Sequence, residues 1–221
     1  MTVMINIIFD FDGVILDSNN VKTTAFKNIS KRFGESKSNE LVKYHMKNGG
    51  VSRFIKLKWF VENVLKTKSE VLIRDLVKEY GNEVSKSFES CSFRTDLFNL
   101  KKKLKGTKWS IASGGKQDEI VNLLKKKFLL DIFDNGIYGS PTPKMEIVKK
   151  TILNVKPNEK NKFVLIGDSF YDYECAKKNG IKFIFASDWS DIKKPKDLFK
   201  NKNITFIKGI ELLNLDLLEK I

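Results

Sequence analysis

Two cysteines, Cys91 and Cys175, are all that this 221-residue chain contains. They make no disulfide framework, and both read as free thiols in a reducing compartment, packing residues rather than nucleophiles. Long apolar runs are missing as well, and nothing approaches the roughly 18–20 residues that a bilayer span needs. The apolar stretch Ile5–Phe9 runs straight into Asp10, with no basic leader and no small-residue cleavage site, so no signal peptide is expected. A soluble cytoplasmic protein without a membrane partner is the expectation. Acidic residues are also scarce beside basic ones, 27 against 41, which leaves a formal charge of +14. The basic residues are mostly lysines spread along the chain, as at Lys101–Lys103 and Lys125–Lys127. No RNA-binding aromatic signature, zinc-ligand spacing or arginine-rich arm accompanies them, so solvated helix faces account for the charge and nucleic acid is not the expected partner. A basic surface still steers small anions inward.

What is present is globular material, 41% hydrophobic and 11% aromatic, enough to bury a full core with a modest insert. A first strand is expected over Met4–Phe9. Helical patterning then dominates to about Phe88. Val21, Ala25, Phe26, Ile29 and Phe33 fall on one face, and Phe54, Ile55, Leu57, Val61, Val64 and Leu65 mark a second helix. Val71, Leu72, Leu76, Tyr80, Val84 and Phe88 mark a third. Gly34, the Asn48-Gly49-Gly50 turn and Lys66–Ser69 separate them. After this block strands and helices alternate. Strands are expected at Lys108–Ala112, Asn135–Tyr138, Phe163–Ile166, Lys182–Ala186 and Thr205–Ile207. Helices are expected at Lys116–Phe128, Lys144–Leu153, Tyr171–Asn179 and Gly209–Leu218. Such alternation predicts an α/β fold, a Rossmann-like parallel sheet with helices on both faces and an all-helical insertion after the first strand.

Chemistry concentrates where strands end. Asp10-Phe11-Asp12-Gly13-Val14 follows the first strand, where open α/β sheets place their ligands. Two carboxylates spaced by one residue can reach one crevice there, one as nucleophile and one as general acid and base, and Gly13 permits a sharp turn. Alone, the motif leaves an acidic loop or a plain metal site as the alternative. Three later segments change that. Ser113-Gly114-Gly115 offers a hydroxyl and backbone N–H groups before a helix, a phosphate cradle. The segment GSPTPK over Gly139–Lys144 brings a lysine, and FVLIGDSFYD over Phe163–Asp172 brings Asp168 and Asp172.

In this order DFDGVILDS, IASGG, the lysine segment and GDSFYDYECAKKNG resemble the four motifs of the haloacid dehalogenase superfamily over nearly the whole chain. The helical insertion is similar to the C1 cap of the subgroup containing phosphoglycolate phosphatase and β-phosphoglucomutase. The resemblance implies a core domain over 1–18 and 90–221, and a cap domain over 19–89. It implies Asp10 as the nucleophile toward phosphorus and Asp12 as the acid and base. Ser113 and the Gly114 N–H would bind the phosphoryl group. Asp168 and Asp172 would hold Mg²⁺ with the Asp10 carboxylate and the Asp12 main-chain carbonyl, a hard-oxygen set that suits magnesium. The motif departs from the subgroup in one respect: the usual lysine before a Pro-x-Pro pair is Ser140 here, and Lys144 is the available substitute. Asp12 sets the chain apart from dehalogenases and phosphonatases, which lack the second aspartate.

On this resemblance the expected function is Mg²⁺-dependent hydrolysis of a small phosphorylated metabolite, a sugar phosphate or phosphoglycolate-like compound, through an aspartyl-phosphate. A phosphomutase is the alternative, although Lys22 stands where mutases of this branch tend to have a histidine. A non-catalytic nucleic-acid-binding module is the third reading. In the cap, Arg53 after the Gly49-Gly50 turn is a candidate clamp for a second phosphate, a carboxylate or sugar hydroxyls. His45, the one histidine, reads as a packing residue with substrate contact as the alternative, and Trp59 and Phe60 read as cap packing. The assembly is expected to be a monomer or homodimer.

Overall fold

The computed structural model describes residues 4–94, 96–155 and 161–221. Six parallel strands form one sheet: β1 (Met4–Phe9), β2 (Thr107–Lys116), β3 (Ile137–Ser140), β4 (Asn161–Gly167), β5 (Lys182–Ala186) and β6 (Thr205–Ile207). Their order across the sheet is β3-β2-β1-β4-β5-β6. The central strands are apolar along their length because both faces are covered, and the pleat sorts their side chains alternately. Ile7, Phe9, Ile111, Val164 and Ile166 join one core, whereas Ile8, Ala112 and Leu165 join another on the opposite face. Helix α6 (Gln117–Lys126) covers the first face through Ile120 and Leu124. Helices α7 (Lys144–Leu153) and α8 (Phe170–Lys178) cover the second through Val148 and Cys175. Both cysteines are free thiols, with Cys175 buried and Cys91 half-buried.

Between β1 and β2 the chain forms α1 (Asn19–Ser30), α2 (Glu35–Lys47), α3 (Arg53–Trp59), α4 (Glu70–Phe88) and α5 (Leu97–Lys103). Helix α3 runs on into a π-helical turn over Phe60–Val64. Tyr44 of α2 stacks on Trp59 at 3.8 Å, and Phe60 meets Phe33 edge-on, so both aromatics serve packing as expected. The helix is present where the sequence placed it, and Leu57 and Val61 of its marker residues are buried. Phe54 and Ile55 are exposed, and the buried stripe is Arg53, Lys56, Leu57 and Phe60, spaced i, i+3, i+4 and i+7, because the inward face borders a polar cavity and carries two cations.

Further differences are local. The second strand runs on past its expected end at Ala112, through Ser113-Gly114-Gly115 to Lys116, with an irregular register against β3. The third strand begins two residues later than expected, at Ile137. Helices α2, α5 and α9 (Pro195–Leu198) were not among the helices expected; α5 and α9 are only seven and four residues long, and α2 lies in the block read only as generally helical. The C-terminal helix expected over Gly209–Leu218 is two pieces, a 3-10 turn over Ile210–Leu212 and α10 (Leu215–Lys220), the latter capped by the Asn214 side chain. No helix among the described residues is long and apolar enough to cross a membrane.

The switch point of this topology lies between β1 and β4, where the strand order reverses direction, and ligand crevices of open α/β sheets lie at such points. Asp10 and Asp168 follow the carboxyl ends of these two strands. The Asp10 N–H donates to the Ile166 carbonyl at 2.8 Å, tying the first acidic turn to β4. Beneath it, fully buried Trp109 packs edge-on against Phe9 at 4.9 Å and donates its indole N–H to Thr107 Oγ1 at 2.8 Å. Replacing Trp109 by Ala leaves a large cavity under β1 and β2. The expected loss is about 3–5 kcal/mol, read as a lower urea midpoint with unchanged slope.

Candidate active site

The loop after β1 turns at Gly13, whose φ is +74° and where an added Cβ would lie 2.1 Å from Asp168 Oδ2. Only glycine lets the acidic turn approach the fourth motif this closely. Asp168 is itself fixed from both sides. Asn19 Nδ2 donates to its Oδ2 at 2.7 Å, and α8 begins immediately afterward with a capping box. In that box Ser169 Oγ accepts from the Asp172 N–H, and Asp172 Oδ2 accepts from the Ser169 N–H at 3.1 Å, so the helix cap orients Asp172.

Asp10, Asp168 and Asp172 each offer a carboxylate oxygen, all within 4.8 Å of one another, and all three residues are buried. Lys144, 2% exposed, places its ammonium 2.7 Å from Asp10 Oδ1 and 2.6 Å from Asp172 Oδ1. The displaced lysine of the third motif therefore reaches the site from the first turn of α7. Burial alone would strip its charge, but the two carboxylates hold its ammonium more firmly protonated than usual. One cation does not balance three carboxylates. Burial and the charge of Asp172 push Asp10 up to about 7 despite Lys144, and burial with the charges of Asp10 and Asp172 raises Asp168 well above the carboxylate range. The donors are hard oxygens with an excess of negative charge, which fits a divalent cation.

Asp12 points elsewhere. Its carboxylate accepts from Ser18 Oγ at 2.6 Å and from Ser113 Oγ at 3.3 Å, and it pairs with the Lys22 ammonium from α1. Burial opposes its charge, yet Lys22 and Ser18 together bring it below its ordinary value. Its carboxylate is thus not part of the acidic triad. Ser113 is fully buried and its Oγ accepts the Gly115 N–H at 2.9 Å. Gly114 has no room for a side chain, since a Cβ would meet the Gly50 carbonyl at 2.1 Å. The Gly49-Gly50 turn of the helical insertion thus rests on Gly114 and on Ser169 of the fourth motif.

Sequence-predicted Arg53 and His45 both line the same cavity of about 370 Å³ as Asp10 and Asp12. Arg53 is committed: its guanidinium makes a bidentate pair with Glu119 of α6 and lies over the Tyr80 ring at 4.8 Å. His45 is buried, with Nε2 3.1 Å from Thr23 Oγ1 and Nδ1 2.9 Å from Lys56 Nζ. The ammonium can only donate, so Nδ1 accepts and Nε2 carries the proton. Burial and the charges of Lys56 and Lys22 keep the ring neutral, its pKa near 2. Sequence reasoning missed Asn19, Ser18, Lys56 and Glu119. Asn19 and Lys22, three residues apart on α1, share a face, and that spacing just after the acidic motif was the available signal.

A family model described as haloacid dehalogenase-like hydrolase matches residues 7–186. A phosphorylated carbohydrates phosphatase of Thermotoga maritima is 26% identical over 220 residues, covering 95% of this chain and 96% of that protein. Among solved structures, a β-phosphoglucomutase from Clostridium difficile superposes with a TM-score of 0.72 at 19% identity, covering 99% of this chain and 96% of that one. CbbY from Rhodobacter sphaeroides, solved in complex with phosphate, gives 0.70 at 17% identity, covering 97% and 98%. At these identities the solved structures establish the shared fold, and the family model spans most of the chain including all four acidic positions. The chain belongs to the haloacid dehalogenase-like hydrolases.

Proposed function

We propose that this protein is a Mg²⁺-dependent phosphatase that hydrolyses a small phosphorylated carbohydrate or related metabolite through an aspartyl-phosphate on Asp10. The observation that carries the reading is where two aspartates of one short turn sit: the Asp10 carboxylate shares the buried triad and is held by Lys144, whereas the Asp12 carboxylate lies outside the triad and faces Ser18, Ser113 and Lys22. One carboxylate beside a metal-suited cluster and a second beside the candidate phosphate-binding hydroxyl occupy the separate positions that nucleophilic and acid–base roles need. The Thermotoga maritima relative, named for phosphorylated carbohydrates, supports the substrate class.

In this reading Asp10 attacks phosphorus while Ser113 and the Gly114 N–H hold the non-bridging oxygens. Asp12 protonates the leaving oxygen and then takes a proton from the water that cleaves the acyl phosphate. For the first of these steps Asp12 must carry a proton, so Lys22 must loosen its hold, and the incoming phosphate dianion is the competing partner for that ammonium. Mg²⁺, held by Asp10, Asp168 and Asp172 with the Asp12 carbonyl, would offset the repulsion between carboxylate and phosphate and stabilise the transition-state charge. Lys144 contributes to the same end and fixes Asp10 against Asp172. The helices over 19–89 act as a cap that excludes water, and the core comprises 1–18 and 90–221.

A panel of sugar phosphates and small phosphorylated acids with Mg²⁺ tests the activity. Wild-type protein should release inorganic phosphate from at least one member, and Asp10→Asn should release none. A silent wild type across the panel would refute the reading. Lys144→Met should lower kcat on the order of 10²–10³-fold, a loss comparable to removing one preorganised charge donor. An undiminished kcat would assign Lys144 to packing.

The triad also gives the metal-free protein a pH signature. Asp10 rises from an ordinary 3.8 to about 7, so between these values the folded state holds a proton that the unfolded chain has released. Stability contributed in this way is present at low pH and lost as pH climbs through that window, with Asp168 acting in the same direction. Mg²⁺ should therefore raise the melting temperature most above neutral pH, where it need not displace protons. Asp168→Asn should melt higher than wild type without metal and respond little to Mg²⁺. Equal melting of the two proteins, with and without Mg²⁺, would contradict this.

A further inference from the structure

Among the described residues, Lys22, Lys47, Arg53 and Lys56 line the active-site cavity, and Lys144 stands beside it; Lys47 is exposed, and three of the others are already paired. Lys144 binds Asp10 and Asp172, Lys22 binds Asp12, and Arg53 binds Glu119. Lys56 is different. It is 3% exposed and lines the same cavity as Asp10, yet no carboxylate among the described residues lies within ion-pair distance of its ammonium. Its hydrogen-bond partner is the neutral His45 ring, itself anchored on Thr23, and its Nζ lies 5.7 Å from the Phe26 ring centroid. Helices α1, α2 and α3 thus converge to aim one ammonium at the cavity without supplying its counter-charge.

Burying an unpaired ammonium is costly, and evolution of a cap wall for packing alone would favour an apolar residue there. The cost is recovered if an anion arrives with the ligand. Burial and the charge of Lys22 lower this group to about 7 in the cavity, and an anion placed beside it would favour its charged form. The cations beside the triad and Asp12 already serve the transferring phosphoryl group. We infer that the substrate carries a second anionic group, a carboxylate or a second phosphate, received by Lys56, which makes Lys56 the specificity-determining residue of the cap. This inference rests on the phosphatase reading and narrows its substrate class to acidic phosphate esters. The competing occupant within the protein is Asp191, which also lines the cavity and acts on Lys56 through space without pairing with it.

Matched pairs of esters test this on the full chain with Mg²⁺: phosphoglycerate against glycerol phosphate, and a hexose bisphosphate against the hexose monophosphate. Wild-type kcat/KM should favour the acidic member of at least one pair by about 10- to 100-fold, the scale of one desolvated charge-assisted hydrogen bond. The pair that shows the preference distinguishes carboxylate from phosphate. In Lys56→Met the ratio should fall toward one, chiefly through KM, and Lys56→Arg should retain part of it. A wild-type ratio near one in both pairs overturns the inference, as does a ratio that Lys56→Met leaves unchanged. So does a loss falling equally on both members, which would assign Lys56 to closure against Asp191. The same pairs titrated by calorimetry into Asp10→Asn, with and without Lys56→Met, read the preference without turnover. Failure to release phosphate from any ester would therefore sink the phosphatase reading, while the binding ratio would still decide this one.

Discussion

Three buried carboxylates at the switch point of the sheet repel one another, and the Lys144 ammonium bound to two of them is the counter-charge the chain itself supplies. With oxygens within 4.8 Å, each pair of charges costs about 3–4 kcal/mol at an effective dielectric near 20. That is a large fraction of the roughly 5–15 kcal/mol by which a domain is stable. One ammonium leaves two negative charges over, so the cluster takes up protons or a cation. The geometry around it follows from this constraint. Gly13 allows the close approach, Asn19 and the Ser169 cap orient the oxygens, and the apolar strands beneath keep water from relieving the strain.

Asp12 belongs to the same turn but to a different electrostatic neighbourhood, because α1 brings Lys22 and the loop brings Ser18. The helical insertion thus does more than cover the crevice. It supplies the cation that holds the Asp12 carboxylate, and its Gly49-Gly50 turn packs against Gly114.

The core was legible because burial on both faces leaves strong marks. β1, β5, β6 and α7 have the bounds read from the sequence, and the four motifs lie together, with Lys144 on Asp10 and Asp172 and Ser113 on Asp12. Lys144 was legible only as a substitute for a missing motif lysine, and its burial between two carboxylates explains why a shift of four residues is tolerated: the reach comes from the first turn of α7. The cap side was harder to read. A lysine between Ile55 and Leu57 looks solvent-facing under any hydrophobic template, and only the polar cavity beside α3 turns Lys56 and Arg53 inward. Glu119 was invisible for a related reason: its partner is 66 residues away, and an acidic residue in a first helical turn is ordinary.

In the proposed reaction Asp10 takes the phosphoryl group covalently. Acid-quenching the enzyme during turnover of a substrate from which it releases phosphate, followed by peptide mass spectrometry, detects that intermediate. The peptide carrying Asp10 should bear a phosphoryl group, convertible by borohydride to homoserine at that position and absent from Asp10→Asn. A phosphoryl group at any other residue, or turnover that persists in Asp10→Asn, would refute it.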